Sequence, residues 1–276
     1  MNGIYFGMLT ALCYGLADTL SSITARKLGV NPTTILAQAA GLIILTIITF
    51  AIFSFGTPFT FPSPRLLLII DIGGILLGGL SAISYLALYR GLAQGPLAVV
   101  SPLVSAQGII TLTAALIFLK ESLDLPQAGL LAVTCLGVIL ASIPTLQSTG
   151  EKKSKSGRSG ILAALVAMLG FGLLSLGIGI LTRLIDDLSG VLLTLLLIRL
   201  SSLLFLLIWY LFQHEPGLKR RGNTWLLLLG VLTGMIEMLG LVTFSAASIF
   251  SSIGIAGVLA SAYVLIPILW GLLAFR

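Results

Sequence analysis

Three ionisable residues lie deep inside long apolar stretches of the sequence, namely Asp18, Arg199 and Glu237. An arginine at the centre of a membrane-spanning helix costs about 3 kcal/mol on insertion scales, so such residues face a bundle interior or a water-filled path. Arg199 lies in LTLLLIRLSSLLFLLIWY (193–210), ten residues beyond Ser189. Ten residues of helix span about 15 Å, which is too far for an arginine side chain to reach the membrane surface. We therefore expect Arg199 to lie inside the protein, near the middle of a membrane.

These three residues have the chemistry to bind a small polar solute. Arg199 would be a fixed positive charge that binds a carboxylate or phosphate through two nitrogens; the alternative is an internal ion pair that only locks two helices. Glu237 lies in GVLTGMIEMLGLV, among small residues that permit close helix approach. It is either that structural partner of Arg199 or a proton carrier. Asp18 is a candidate cation-binding or proton-carrying group, whereas Asp71, nearer the end of its stretch, is interpreted as an interfacial charge.

Polar and aromatic side chains on other apolar stretches can complete this site. The additional candidate binding residues are Gln38, Gln107, Tyr14, Tyr85 and Tyr263. Aromatic rings near the ends of stretches are instead interpreted as interfacial belts; these are Trp209, Tyr210, Trp225 and Trp270.

Sequence motifs of enzymes are missing. The chain has a single histidine, His214, and none of the HExxH, GxSxG, P-loop or CxxC patterns. Cys13 and Cys135 both lie inside apolar stretches, where we interpret them as apolar spacing rather than as a disulfide or a metal site. We therefore predict no enzymatic activity, no catalytic residue, no cofactor and no bound metal.

The composition requires an apolar solvent around most of the chain. Of its 276 residues, 58% are hydrophobic and only 9% are charged, with a mean hydropathy of +1.15. A soluble domain has about 25% charged residues, so this chain has too few to cover a surface in water. The lipid bilayer is its predicted partner.

Nine stretches are long and apolar enough to cross a bilayer, for which about 20 residues are needed. They are residues 3–25, 33–55, 66–89, 96–119, 126–145, 160–182, 189–212, 224–245 and 249–275. Nothing resembles the alternating strands of a membrane barrel. The predicted fold is an all-α integral membrane protein, a polytopic helical bundle. Pro102 and Pro267 predict that the fourth and ninth helices are weakened and mobile.

The net charge of +6 is distributed as in membrane loops and does not indicate a nucleic-acid partner. Eleven of the fifteen basic residues fall in loops on one side of the predicted bundle, and three fall on the other. The positive-inside rule assigns the side with eleven to the cytoplasm. We therefore expect a multi-pass protein of the cell (cytoplasmic) membrane, with its N-terminus outside.

An internal repeat divides the chain into two halves. Residues 3–26 align without gaps on 160–183, and residues 97–120 align on 253–276, with matched glycines, serines and terminal basic residues. We predict a first repeat of five helices (1–146), a basic linker loop (147–159) and a second repeat of four helices (160–276). An odd number of helices per repeat inverts the second copy in the membrane. The second half stops where the first continues into a fifth helix, so we expect a tenth helix to be missing.

The order of five helices, basic linker and further helices resembles the drug/metabolite transporter superfamily, in its EamA-like transporter branch. The stretch ISYLALYRGLAQGPLAVVSPLVSAQGIITLTAALIFLKESLDLPQAGLLAVTCLGVILAS (83–142) is the most similar to that family. Arg199 stands where the family often has an arginine in its seventh helix, and Gln38 stands near the corresponding place in the second. The resemblance implies ten helices in two inverted repeats around a central cavity. It also implies movement of small metabolites, often amino acids or their relatives.

The sequence thus predicts a secondary active transporter of small organic metabolites, working as an exporter by resemblance. An uptake permease of the same fold is one alternative, and a non-transporting membrane scaffold or assembly subunit is another. The predicted partners are a small-molecule substrate and a coupling proton carried by Glu237 or Asp18. The sequence leaves the oligomeric state open.

Overall fold

The computed structural model describes residues 2–55, 62–120, 155–185, 188–212 and 224–267, together with the single residues 129, 132, 136 and 269. The predicted fifth helix (126–145) and residues 147–154 of the predicted linker therefore lie outside the continuous described ranges. Cys135, His214 and Trp270 also lie outside the described residues. Every regular element in the described part of the chain is a helix, which confirms the predicted all-α fold.

Nine α-helices form the described part of the bundle. They are α1 (Asn2–Leu28), α2 (Val30–Phe55), α3 (Pro64–Gln94), α4 (Leu97–Ser105), α5 (Gln107–Phe118), α6 (Lys155–Ile185), α7 (Leu188–Phe212), α8 (Thr224–Phe250) and α9 (Ile253–Ser261). A short 3₁₀-helix, Ala262–Val264, follows α9. The helices extend beyond several of the predicted stretches; α8, for example, continues to Phe250 rather than ending at residue 245.

Large apolar side chains cover the outside of the bundle. Phe50, Leu76 and Leu211 are 72%, 68% and 75% exposed, and Trp209 and Trp225 also lie on the outer surface. Soluble monomers rarely expose apolar patches this extensive, whereas a surface that faces lipid must be apolar. In the described part of the chain, seven helical segments are long and apolar enough to cross a membrane. The chain is a multi-pass membrane protein.

Glycine, serine and proline residues mark the ends of several of these helices. Gly29 separates α1 from α2 with φ +104°, a left-handed conformation that glycine adopts without steric cost. Ser63 caps α3, its Oγ accepting from the Leu66 N–H at 3.4 Å, and Pro64 occupies the first helical position. Gly95 precedes Pro96 and is extended, as residues before proline prefer. This break gives the boundary between the third and fourth predicted stretches.

The fourth and ninth predicted helices are both interrupted at their middle. Helix α4 stops at Ser105 and α5 begins at Gln107, while α9 stops at Ser261 and continues as a 3₁₀-helix. The intervening Ala106 and Ala262 have nearly equal backbone angles (φ −61°, ψ −7° and φ −64°, ψ −6°). In the alignment of 97–120 with 253–276 these two alanines coincide. The two segments thus change geometry at equivalent places.

Helices from the two halves pack crosswise. Helix α1 lies mainly against α8, and α3 lies mainly against α6, so the first helix of each half packs on the third helix of the other. Glycines make matched contacts there: Gly15 packs on Ile266, and its aligned partner Gly172 packs on Ile110, which aligns with Ile266. A repeat would give matched contacts of this kind, but the inverted repeat and its boundaries at 146 and 160 stay predictions.

Candidate functional site

Arg199 is fully enclosed by protein, with 1% of its surface exposed. From α7 it forms an ion pair with Glu237 Oε1 on α8 and donates through a terminal nitrogen to Gln38 Oε1 on α2 at 2.5 Å. Its Nε donates to Met238 Sδ at 3.2 Å, and its Cζ lies 5.3 Å from the centre of the Tyr85 ring. The internal ion pair that the sequence allowed as one alternative is present, and the guanidinium ties α2, α7 and α8 together. Binding of a solute anion by Arg199 stays a prediction.

Glycines bring the backbones of α2 and α8 together beside this guanidinium. A Cβ on Gly234 would overlap the carbonyl group of Ala37, and a Cβ on Gly41 would lie 3.2 Å from the Gly234 oxygen and 3.6 Å from Arg199 Cζ. Small residues are the usual means of close helix approach in membranes. The glycines therefore place Gln38 and Glu237 within reach of the same guanidinium.

Tyr89 holds the second oxygen of Glu237. Its hydroxyl donates to Oε2 at 3.1 Å, and the side chain is 1% exposed. Sequence reasoning missed this residue because it stands at the end of the predicted stretch 66–89. Tyr89 follows Tyr85 by four residues, a spacing that places both on one helical face, so the neighbouring candidate could have indicated it.

Replacement of Tyr89 by Phe is expected to lower the free energy of unfolding by about 1 to 2 kcal/mol, because a buried carboxylate oxygen loses its donor. The measurement is unfolding of the purified protein by SDS titration in mixed micelles. Tyr5→Phe is the matched control, since Tyr5 is 63% exposed on α1 and should unfold like wild type. Equal stability of the Tyr89→Phe variant and wild type would contradict the hydrogen bond.

Asp18 on α1 has a different environment from Glu237. It is 7% exposed, and its Oδ2 accepts from Ser101 Oγ at 3.3 Å. The backbone oxygen of Ser101 in turn lies 3.5 Å from the Tyr263 hydroxyl, which donates to it. Within the described ranges Asp18 has no basic partner at ion-pair distance. Ser101, beside Pro102 in α4, was not among the sequence candidates.

A central cavity lies between α1, α3, α6 and α8 and reaches the breaks in the interrupted helices. The volume that the centre of a water molecule can occupy is about 50 Å³. The space is therefore narrow, and it suits a slender solute or a few waters. Six predicted site residues line it, and they are Tyr14, Asp18, Tyr85, Gln107, Glu237 and Tyr263. Arg199 and Gln38 do not line the cavity and lie behind Glu237.

The cavity walls follow the predicted repeat. Four residues of α1 line the cavity: Tyr14, Ala17, Asp18 and Ser21. The alignment of 3–26 on 160–183 places them on Phe171, Leu174, Ser175 and Ile178, which all line the cavity from α6. Sequence reasoning missed Phe171 and Ser175, although projecting the candidates Tyr14 and Asp18 through this alignment would have found them. The α1 wall is the more polar, so the site is asymmetric.

The arrangement can bind a small polar solute but offers no evident metal centre. Within the described ranges, no group of three or more His, Cys, Asp or Glu side chains is close enough to hold a metal ion. The groups that face the cavity are two carboxylates, one amide, two serine hydroxyls and five aromatic rings, four phenolic and one phenyl. A few convergent polar groups on a largely apolar wall are typical of small-molecule sites.

Known proteins similar to this chain were found by sequence and by structure. A sequence model of the EamA-like transporter family matches residues 1–143. An uncharacterized protein of Methanocaldococcus jannaschii, MJ1333.1, is 31% identical over 144 residues, which make up 51% of this chain and 97% of that protein. A protein crystal structure superposes with a TM-score of 0.68 at 15% identity, covering 99% of this chain and 90% of that chain. At this identity the structural similarity shows the fold alone.

Proposed function

The chain belongs to the EamA-like transporter family, and from this premise we propose that it is a secondary active transporter of small organic metabolites in the cell membrane. The family consists of transporters and not of enzymes. The observation that carries the proposal is the central cavity, lined by six side chains that the sequence singled out as candidate binding residues. Substrate sites of inverted-repeat transporters lie at the interface of the two halves, where this cavity lies.

The interrupted helices are the proposed moving parts. Val104 and Gln107 flank the break between α4 and α5, Tyr263 lies in the 3₁₀-helix after α9, and all three line the cavity. Irregular backbone at membrane depth is tolerated where it borders a cavity, and transporters use it there for binding and movement. Rocking of the two halves around these breaks would open the cavity to one side of the membrane at a time.

The carboxyl groups have separate proposed roles. Asp18 faces the cavity with one hydroxyl donor, so it is the better candidate to contact the solute or carry a coupling proton. Glu237 is held by Arg199 and Tyr89. The hypothesis that Arg199 binds a substrate anion stays a prediction, and it requires the guanidinium to leave Glu237 first. Export is proposed on the family resemblance.

Filling the cavity should stop transport without unfolding the protein. Ser175 lines the cavity from α6 and is partly exposed to it. We expect Ser175→Trp to lower flux by about tenfold or more, because the indole ring would occupy much of a solute-sized site. The measurement is gradient-driven uptake of radiolabelled amino acids and monoamines into proteoliposomes that contain the purified protein.

Leu173→Trp is the matched control for this experiment. Leu173 lies on the same helix but is 50% exposed on the outer surface, so its variant should transport like wild type. Flux that continues unchanged in Ser175→Trp would contradict this cavity as the route. If no solute of the panel moves in wild type, the chain is better described as a membrane scaffold.

A further inference from the structure

The charges around the central cavity do not cancel. Glu237 is the only cavity-lining carboxylate in the described part of the chain with a basic partner, and Arg199 neutralises it from behind. Asp18 contributes a second carboxylate to the wall. None of the described lining residues is a lysine, arginine or histidine. When the carboxyl group of Asp18 is ionised, the cavity therefore has an excess negative charge.

Asp18 has fewer hydrogen-bond donors and counter-charges around it than a buried carboxylate needs. Its exposed fraction is 7%, so the residue is 93% buried, and a single serine hydroxyl donates to it at 3.3 Å. A carboxylate can accept about four hydrogen bonds, and an unpaired buried charge is costly. A cationic ligand in the cavity would supply both the missing charge and the missing donors.

Gln107 presents a second unused acceptor to the same cavity. Its side chain is 9% exposed, and its Oε1 is buried without a hydrogen-bond partner. Buried polar atoms are nearly always hydrogen-bonded in native proteins, so each exception calls for an explanation. An ammonium group has up to three donors and no acceptor, which matches a wall that offers acceptors.

Aromatic rings complete a cation-binding environment. Tyr14 and Tyr263 meet edge to face with ring centres 6.3 Å apart, and Tyr85 meets Phe171 in the same way at 4.8 Å. All four residues line the cavity. Aromatic faces attract ammonium groups, and cages of several rings are a common means of recognising them.

The same geometry disfavours a carboxylate on the solute. The guanidinium of Arg199, beside the ring of the cavity-lining Tyr85, already contacts Glu237, Gln38 and Met238. A zwitterionic amino acid would have to bury its carboxylate in the cavity with Asp18, whose like charge is not compensated and repels it. We propose that the cavity selects primary amines and other organic cations over amino acids of the same shape. This inference rests on the proposed function, since it takes the cavity as the transport site.

Three solutes with one phenyl ring test this selectivity: 2-phenylethylamine, L-phenylalanine and 2-phenylethanol. Their equilibrium affinities for the purified wild-type protein in nanodiscs would be measured by calorimetry. We expect the amine to bind at least about tenfold more tightly than either the amino acid or the alcohol, because only the amine adds charge without repulsion. Equal or tighter binding of L-phenylalanine, or no measurable binding of the amine, would overturn the proposal.

Substitution of Asp18 by Asn adds a second test. The variant should reduce the affinity for 2-phenylethylamine to that for 2-phenylethanol, whereas an unchanged affinity would argue against Asp18 as the partner. Asp71→Asn is the control, because Asp71 is an exposed carboxylate on α3 outside the cavity. The outcomes separate the two proposals: uptake of an amino acid but not of amines refutes the cation selectivity and keeps the transporter. Amine binding without flux of any solute would keep the cation selectivity and refute the transporter.

Discussion

Replacing Glu237 with Leu is expected to lower the free energy of unfolding by about 3 to 5 kcal/mol, because it leaves the Arg199 guanidinium buried without its counter-charge. Of the guanidinium's remaining polar contacts, one is an amide oxygen and the other a thioether sulfur. Thioether sulfur is a weak acceptor. The measurement is unfolding by SDS titration in mixed micelles, followed by circular dichroism.

A double variant separates the lost charge from the lost packing. In Arg199→Met with Glu237→Leu, no unpaired charge is left in the interior, and apolar replacements of buried ion pairs are often close to neutral. We expect the double variant to be more stable than Glu237→Leu alone. If Arg199→Met instead lowered the free energy of unfolding further by its own full amount, the ion pair would not be the main contribution of these two residues to stability.

Gly234→Ala is expected to destabilise the protein by about 3 kcal/mol, the upper end of the usual range for overpacking. The added Cβ would overlap the carbonyl group of Ala37 on α2, and backbone atoms cannot rotate away as a side chain can. Helices α2 and α8 would have to separate. Arg199 of α7 bridges these two helices through Gln38 on α2 and Glu237 on α8, so the separation would also weaken its contacts. Thermal unfolding and SDS titration both measure this effect.

Gly79→Ala is the control for this substitution. The atoms nearest to its Cβ would belong to the Phe205 ring, with Cε2 at 3.2 Å, and this side chain can move. Alanine is also the better helix former by about 1 kcal/mol, so we expect a change close to zero or a small gain. If Gly234→Ala proved as stable as Gly79→Ala, close backbone approach of α2 and α8 would not be needed to hold the ion pair.

Much of the architecture could be predicted from local properties of the sequence. Length and hydropathy alone indicate a membrane bundle, because crossing a bilayer requires about 20 apolar residues with an internally bonded backbone. The cost of charge in lipid singled out Asp18, Arg199 and Glu237, and all three are buried. Pro267 predicted a weakened ninth helix, and the described segment changes to a 3₁₀-helix before it.

Only the tertiary structure decided which of these residues face the cavity. The sequence left two interpretations of Arg199 open, a ligand for the solute or one half of an internal ion pair. In the structure Arg199 lies behind Glu237, with Tyr89 on the other carboxylate oxygen. Both inner and outer faces of a membrane helix are apolar, so hydropathy does not report how each helix is rotated. That rotation follows from small-residue contacts such as Gly234 on Ala37, between helices far apart in the chain. Hydropathy therefore determined that buried charges must be sheltered, and packing decided whether each one faces the cavity or lies behind its wall.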